Sequence, residues 1–308
     1  TPKSRTRRRP RSATSTPFSI GDSDASVKAP PYDDPHGEDN TFGLPDGEDL
    51  RDALKRFFRE QLKSILGEMP PTFAEVSHDF ARLEGWDDRM AEAMTPIVSL
   101  YWDEAGQSVR ERIGLDPESW QVTDPNLRTA IEGQALDFCK STNATTTDSI
   151  EAAYRRVRDA LTDGVLDKGE AIPTLTRRIK DIYKGLADNR AELIAITETS
   201  RAVHAASLMS AKQSGVVTRK KWLLSSNACP TCRKIADEVN AEGIGVDANF
   251  AVIGDNPTYR NITMPPAHPR CRCTATFVVD PDYLRSLGID PAEIDGEVSA
   301  VEPVGAMA

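Results

Sequence analysis

Apolar residues recur at helical spacing through most of the chain that precedes residue 215. In "DLRDALKRFFREQLKSIL", at 49–66, an apolar residue falls every three or four positions, which predicts an amphipathic helix. "GEMPP" at 67–71 ends this helix, because its two prolines cannot continue the backbone hydrogen bonding. The same spacing predicts further helices over 87–113, 124–140, 145–164, 171–186 and 189–215.

After residue 215 the spacing of apolar residues changes from helical to alternating. "VVTRKKWLLSS" at 216–226 and "CTATFVVD" at 273–280 are rich in β-branched and aromatic residues, which favours two strands. The stretch between them, 240–267, is rich in Gly, Asn and Pro and is predicted to be mostly loop. The fold class expected is therefore α+β, with a mostly helical body followed by a small α+β cap.

The first 49 residues lack this apolar pattern and carry most of the charge asymmetry of the chain. The net charge is −10, yet "TPKSRTRRRPRS" at the start is purely basic, while 21–49 is rich in Asp and Glu among Pro, Gly and Ser. Such a segment buries too little apolar surface to fold, so we expect 1–49 to be a disordered arm. Its basic cluster is either a solvated tail or a contact for the nucleic-acid backbone, made by Arg5, Arg7, Arg8, Arg9 and Arg11.

The apolar runs of the chain are too short for a membrane protein. The longest, such as "LIAI" at 193–196, fall far below the length that crosses a bilayer, so no membrane partner is expected. The first residue is Thr1, which indicates a processed product or the later part of a longer polypeptide.

Four of the five cysteines and one histidine cluster in two short motifs of the predicted cap. The pattern is C-x-x-C in "CPTC" at 229–232, then a long intervening segment, then H-x-x-C-x-C in "HPRCRC" at 268–273. Each motif places two soft ligands on one tight turn, and two such turns supply the four ligands that tetrahedral zinc requires. The preferred set is Cys229, Cys232, His268 and Cys271, with Cys273 as the alternative to His268.

A bound metal fits these motifs better than the competing chemistries of cysteine. Disulfides would need an oxidising compartment, and no secretory signal opens the chain. A thioredoxin-like redox pair would need its C-x-x-C to open a helix within a βαβ unit, which the pattern lacks. Because four protein ligands close the coordination sphere, the zinc is expected to be structural and the protein is not expected to be an enzyme.

The predicted helix over 189–215 carries a second group of polar residues. Glu198 and Arg201 lie within one helical turn, and this spacing favours a structural ion pair. A catalytic alternative would make Glu198 a general base.

The sequence thus divides into five predicted segments. They are a disordered basic-then-acidic arm (1–49), a helical segment (50–115), a helical body (116–215), a zinc-binding α+β cap (216–285) and a C-terminal tail (286–308).

The order of these motifs resembles the Mu F-like minor head proteins, or phage head morphogenesis proteins, of tailed bacteriophages. The resemblance covers about residues 120–280 and consists of a helix–Gly–helix, a Thr-Glu helix, a tryptophan strand and the two cysteine motifs. These are "RDALTDGVLDKGEAIPTLTRRIKDIY", "AITETSRAVHAASLMSAKQSGV", "KKWLLSS", "CPTC" and "PPAHPRCRC". The family often has Asn where this chain has Arg270, and Arg where it has Ile196.

The resemblance implies a minor structural component of a tailed-phage virion, located in the capsid interior or at the portal vertex and assembled in the host cytoplasm. It implies partnership with the portal and head shell proteins and a part in head assembly or in genome packaging or ejection. Some members are fused behind a portal protein, so the chain is expected to be the later part of such a fusion. The basic arm would then contact packaged DNA.

Two other functional classes are compatible with the residues. One is a zinc-dependent hydrolase or toxin-like transferase that uses Glu198, and the other is a zinc-stabilised nucleic-acid-binding module. An open metal position beside Glu198 would favour the enzyme, whereas salt-sensitive binding across a basic stripe would favour the binding module.

Overall fold

The computed structural model describes residues 42–77, 80, 85–120, 125–239, 242–250, 262–294 and 296–300. Its helices are α1 (Glu48–Gly67), α2 (Trp86–Arg112), α3 (Pro125–Thr162), α4 (Lys168–Gly185), α5 (Ala191–Ser214), α6 (Pro230–Glu238) and α7 (Pro281–Ser286). A π-helical segment, Leu186–Arg190, joins α4 to α5, and short 3-10 turns lie at Phe73–Glu75, Pro117–Ser119 and Pro291–Glu293. Its strands are β1 (Val217–Leu223), β2 (Ile244–Gly245), β3 (Thr274–Val279) and β4 (Glu297–Ser299).

The described strands form one antiparallel sheet in the order β2-β1-β3-β4. Trp222 of β1 lies opposite Ala275 of β3, and Phe277 of β3 lies opposite Val298 of β4. Together with α1 to α5, this sheet confirms the predicted α+β class of a helical body followed by a small cap. None of the described helices combines the length and the apolar character needed to span a bilayer.

Three clusters of apolar residues hold the fold together. One joins α1, α3 and α4 to the first turns of α2 and α5, and a second joins the later turns of α2 and α5 to β3 and β4. The third is small and lies in the cap, where Trp222, Ile235 and Phe250 surround three of the cysteines. Because α2 and α5 each contribute to both large clusters, they connect the helical body to the cap.

The helix α3 differs from the sequence prediction, which divided it into two helices over 124–140 and 145–164. The polar stretch between the two predictions remains helical because its side chains find partners within the bundle. Asn143 accepts a hydrogen bond from Gln61 Nε2 at 3.1 Å and donates one to Asp87 Oδ1 at 2.6 Å. Asn143 is thereby held between α1 and α2, so the stretch packs as helix and does not form a loop.

Both predicted ends of the folded region differ from the structure. The predicted arm lies outside the described residues as far as residue 41, but Phe42 and Leu44 are buried. The backbone at Gly47 is left-handed, and a side chain there would meet the Thr199 hydroxyl at 2.6 Å, so glycine allows this segment to pack on α5. Within the predicted tail, β4 completes the sheet, because Val298 is apolar and buried against the second cluster.

Candidate metal centre

The first cysteine motif opens helix α6. Pro230 occupies the first helical position, where its missing N–H costs nothing, and Cys229 caps the helix. The Cys232 N–H donates to Cys229 Sγ at 3.4 Å, which holds both sulfurs on one side of the first turn. The C-x-x-C therefore does open a helix, although the neighbouring described strands are antiparallel and form no βαβ unit.

The second motif forms a tight turn that leads into β3. The Cys271 N–H donates to the His268 carbonyl at 3.1 Å, and Arg270 between them has a left-handed backbone with a φ of 58°. The Arg270 N–H donates to Thr197 Oγ1 of α5 at 3.1 Å. Helix α5 therefore supports the turn through this hydrogen bond. A cis peptide bond between Pro265 and Pro266 precedes the turn.

The two motifs meet, and all five predicted donor side chains lie in one cluster. His268 Nε2 is 3.1 Å from Cys229 Sγ and 3.3 Å from Cys232 Sγ, and Cys232 Sγ is 3.7 Å from Cys271 Sγ. The donor atoms form two groups of three, each within 4.8 Å, and Cys232 belongs to both. The groups are Cys229, Cys232 and His268, and Cys232, Cys271 and Cys273.

These separations match the dimensions of a tetrahedral zinc site. Zn–S bonds of about 2.3 Å and Zn–N bonds of about 2.0 Å place neighbouring ligand atoms roughly 3.5 to 3.8 Å apart. The Cys232–Cys271 separation of 3.7 Å falls in that range, and the two sulfur–nitrogen separations are only a few tenths of an ångström shorter. The Cys/His groups are therefore close enough together to hold a metal ion.

The hydrogen bonding of His268 selects the tautomer that binds metal. Its Nδ1 lies 2.9 Å from the Pro269 carbonyl, which can only accept, so Nδ1 carries the proton. Nε2, 3.1 Å from Cys229 Sγ and 3.3 Å from Cys232 Sγ, is then the ring nitrogen placed to bind a metal. Metal-bound imidazoles in proteins show the same arrangement, with the second nitrogen donating to a carbonyl or carboxylate.

The sulfurs influence one another strongly. A hydrogen bond from Cys232 is the main cause that lowers the pKa of Cys229 to about 3, and the same bond raises the pKa of Cys232. Hydrogen bonds from Cys232 and Cys273 likewise lower the pKa of Cys271. Thiolates so close together and so buried repel one another, and a divalent cation is the group that would stabilise several of them at once.

Basic residues beside the ligands are held by carboxylates. Arg270 Nη2 is 3.7 Å from Glu192 Oε1, and Arg272 Nη2 is 3.3 Å from Asp46 Oδ1. These ion pairs attach the second motif to α5 and to the segment before α1.

Helix α5 contributes two further polar groups near the cap. Glu198 is buried and accepts two hydrogen bonds from Arg201 Nη1, at 2.5 and 2.7 Å. Burial raises the pKa of Glu198 although Arg201 acts against the shift. His204 donates from Nδ1 to the Ser200 carbonyl at 2.7 Å and accepts from the Thr274 hydroxyl at 3.0 Å, and burial lowers its pKa to about 4.

Other candidate residues lie elsewhere. Cys139 is buried in α3 outside the cluster, and burial raises its pKa to about 12. The five arginines of the basic arm lie outside the described residues. Sequence reasoning missed the support that Thr197, Glu192 and Asp46 give to the second motif, because these partners are distant in the chain.

Comparison with known proteins gives a family match over the region that contains the site. Residues 155–276 match the family described as Phage Mu protein F like protein, which confirms the family that the motifs resemble. The chain is 31% identical over 148 residues to "Uncharacterized protein YqbB" of Bacillus subtilis (strain 168). The alignment covers 47% of this chain and 48% of the relative, so it spans about half of that protein. No solved structure matches the chain.

Proposed function

Because residues 155–276 match the Phage Mu protein F like family, we propose that the protein is a minor structural component of a tailed-phage head. It associates with the portal and head shell proteins and aids head assembly or genome packaging or ejection. Its place is in the virion, in the capsid interior or at the portal vertex. The basic arm, with Arg5, Arg7, Arg8, Arg9 and Arg11, contacts packaged DNA through its phosphates.

The observation that carries this proposal is that the matched region holds all the motifs on which the resemblance rests. It includes the helix–Gly–helix of α3 and α4, helix α5, strand β1 and both cysteine motifs. The ion pair of Glu198 with Arg201 supports a structural role for the Thr-Glu helix over a general base, because both carboxylate oxygens are already engaged.

Association with the phage head can be tested with purified virions and with the cognate portal protein. We expect the chain in virions at far fewer copies than the major shell protein, and we expect it to be retained on an affinity-tagged portal after co-expression. Quantitative mass spectrometry of the virions and of the eluate measures both. A chain that is absent from virions and is not retained by the portal would contradict the proposal.

The metal we propose is one structural zinc ion, held by Cys229, Cys232, His268 and Cys271, with Cys273 as the alternative to His268. Zinc accepts such thiolate and imidazole donors, and a closed set of four protein ligands stabilises a fold instead of activating water. The site joins α6 to the turn before β3 across the small third cluster. The apolar area buried there is modest, so the ion supplies stability that the cap's core lacks.

Metal content of the reduced, purified chain tests this site. We expect one zinc per chain in the unaltered protein and in Cys139→Ala, since Cys139 lies outside the cluster. Cys232→Ala should lose the metal, because Cys232 belongs to both donor groups. His268→Ala and Cys273→Ala identify the fourth ligand by which of them releases zinc to a chelator. Full retention in Cys232→Ala would show that these residues do not hold it.

A further inference from the structure

Helices α1 and α4 lie side by side and run in opposite directions. Tyr183 Oη of α4 donates to Gln61 Oε1 of α1 at 2.8 Å. Thr176 Oγ1, nearer the start of α4, donates at 3.4 Å to Met69 Sδ, which lies two residues after the end of α1. Residue numbers therefore fall along α4 as they rise along α1. The buried faces of both helices enter the same apolar cluster. Their outer faces therefore form one continuous surface.

That surface carries two rows of exposed basic side chains. We call the basic face the set formed by Arg56, Arg59, Lys63, Arg177, Lys180 and Lys184. Arg59 and Lys63 on α1, and Lys180 and Lys184 on α4, are four residues apart, which places each pair on one side of its helix about 6 Å apart. Packed helices lie about 8 to 10 Å apart, so the two rows are close neighbours.

The charges of this face are available to a partner. Within the part of the chain that the structure describes, no ion pair involves any of its six basic residues, whereas most other arginines near the cap are paired with carboxylates. The exposed carboxylates of Asp52, Glu60 and Asp181 lie among them, so six cations stand against three anions and a positive excess remains. This excess stands out on a chain whose net charge is −10.

We propose that the basic face binds the phosphate backbone of duplex DNA without regard to sequence. Two rows of cations at this separation can reach phosphates on both sides of a DNA groove, which is about 6 or 12 Å wide. The face contains no aromatic residue, whereas proteins that bind single strands use aromatic side chains to stack on bases. Flexible lysine and arginine side chains suit phosphate contacts that carry no base information. The inference uses only the charges of α1 and α4 and does not depend on the proposed head function.

The experiment compares two charge-matched double variants of the full chain. The first, Lys63→Gln with Lys180→Gln, removes one charge from each row. The control, Lys140→Gln with Lys168→Gln, removes two exposed lysines outside the basic face. Fluorescence anisotropy measures binding to two duplexes of 20 base pairs and unrelated sequence over a series of salt concentrations. Thermal melting verifies that both variants fold like the parent.

We expect the first variant to bind both duplexes about tenfold more weakly than the parent. Its plot of log K against log salt concentration should also be less steep than the parent's by about 2. The control should keep the parent's affinity and slope. The comparison is repeated in a chain whose Arg5, Arg7, Arg8, Arg9 and Arg11 are all Gln, so that binding by the arm is measured separately. Equal behaviour of the two double variants in both backgrounds would overturn the proposal, as would binding to polyglutamate with none to DNA, which would assign the face to an acidic protein.

Discussion

Thr197 lies at the contact between helix α5 and the second cysteine motif. Its hydroxyl donates to the Leu193 carbonyl at 2.7 Å and accepts the N–H of Arg270 at 3.1 Å. Arg270 has a left-handed backbone, which is unfavourable for a residue with a side chain, so this hydrogen bond stabilises the turn that sets His268 and Cys271. Thr197 is thus a positioning residue for the proposed ligands.

Replacing Thr197 by valine removes the hydroxyl and keeps the shape of the side chain. We expect Thr197→Val to lower the zinc affinity by about tenfold or more, as the loss of outer supporting groups does in other metal sites. Competition with a chromophoric chelator measures the affinity, and the spectrum of the cobalt-substituted protein reports the ligand geometry.

Thr146→Val is the matched control, since that buried hydroxyl also donates to the carbonyl four residues earlier but lies in the helical bundle. Its zinc affinity should equal that of the parent. An equal loss of affinity in both variants would mean that Thr197 acts only through the stability of its helix.

At the residue scale, the sequence predicts the metal-donor side chains but not the residues that hold them in position. The spacing within "CPTC" and "HPRCRC" is local, and chelation from a tight turn depends on local spacing alone. The partners of the second motif, Thr197 and Asp46, come close only after α5 and the segment before α1 have packed. No pattern in a single sequence carries that information.

At the scale of elements, a series of linked, buried hydrogen bonds determines how four helices pack together. Tyr183 of α4 donates to Gln61 of α1, Gln61 donates to Asn143 of α3, and Asn143 donates to Asp87 of α2. Gln61, Asn143 and Tyr183 are buried, so each unmade hydrogen bond would carry a desolvation cost. This series of hydrogen bonds fixes which helix faces meet. It is also the reason that α3 is one continuous helix where the sequence pattern predicts two.

Removal of the Tyr183 hydroxyl tests the importance of these linked hydrogen bonds. Tyr183→Phe leaves Gln61 Oε1 buried without its donor and should lower the free energy of unfolding by about 1 to 3 kcal/mol. Tyr154→Phe is the control, because its hydroxyl is only partly buried and makes a long 3.4 Å bond to the Val76 carbonyl. Urea unfolding followed by circular dichroism compares the unfolding midpoints of the two variants. Similar decreases in both midpoints would argue against a special role for these linked hydrogen bonds.

At the scale of the whole molecule, the segment boundaries predicted from composition do not coincide with the apolar clusters. Helices α2 and α5 cross from one large cluster to the other, because each is long enough to present an apolar face to both. The fold class could be predicted because periodicity reveals helices and strands one at a time. The pairing of β4 with β3 could not, since Glu297–Ser299 is too short to show an alternating pattern.

The position of β4 has a practical consequence for shortened versions of the protein. A chain cut at residue 285, where composition suggests the cap ends, would remove the strand that covers the outer side of β3. The Ala275 carbonyl, which accepts the Ala300 N–H, and the Val279 N–H, which donates to the Gly296 carbonyl, would then lose these partners. They would lie beside newly exposed apolar surface, an arrangement that recruits strands from other molecules. Such a fragment would self-associate, and the last residues of the sheet are best regarded as its protection against aggregation.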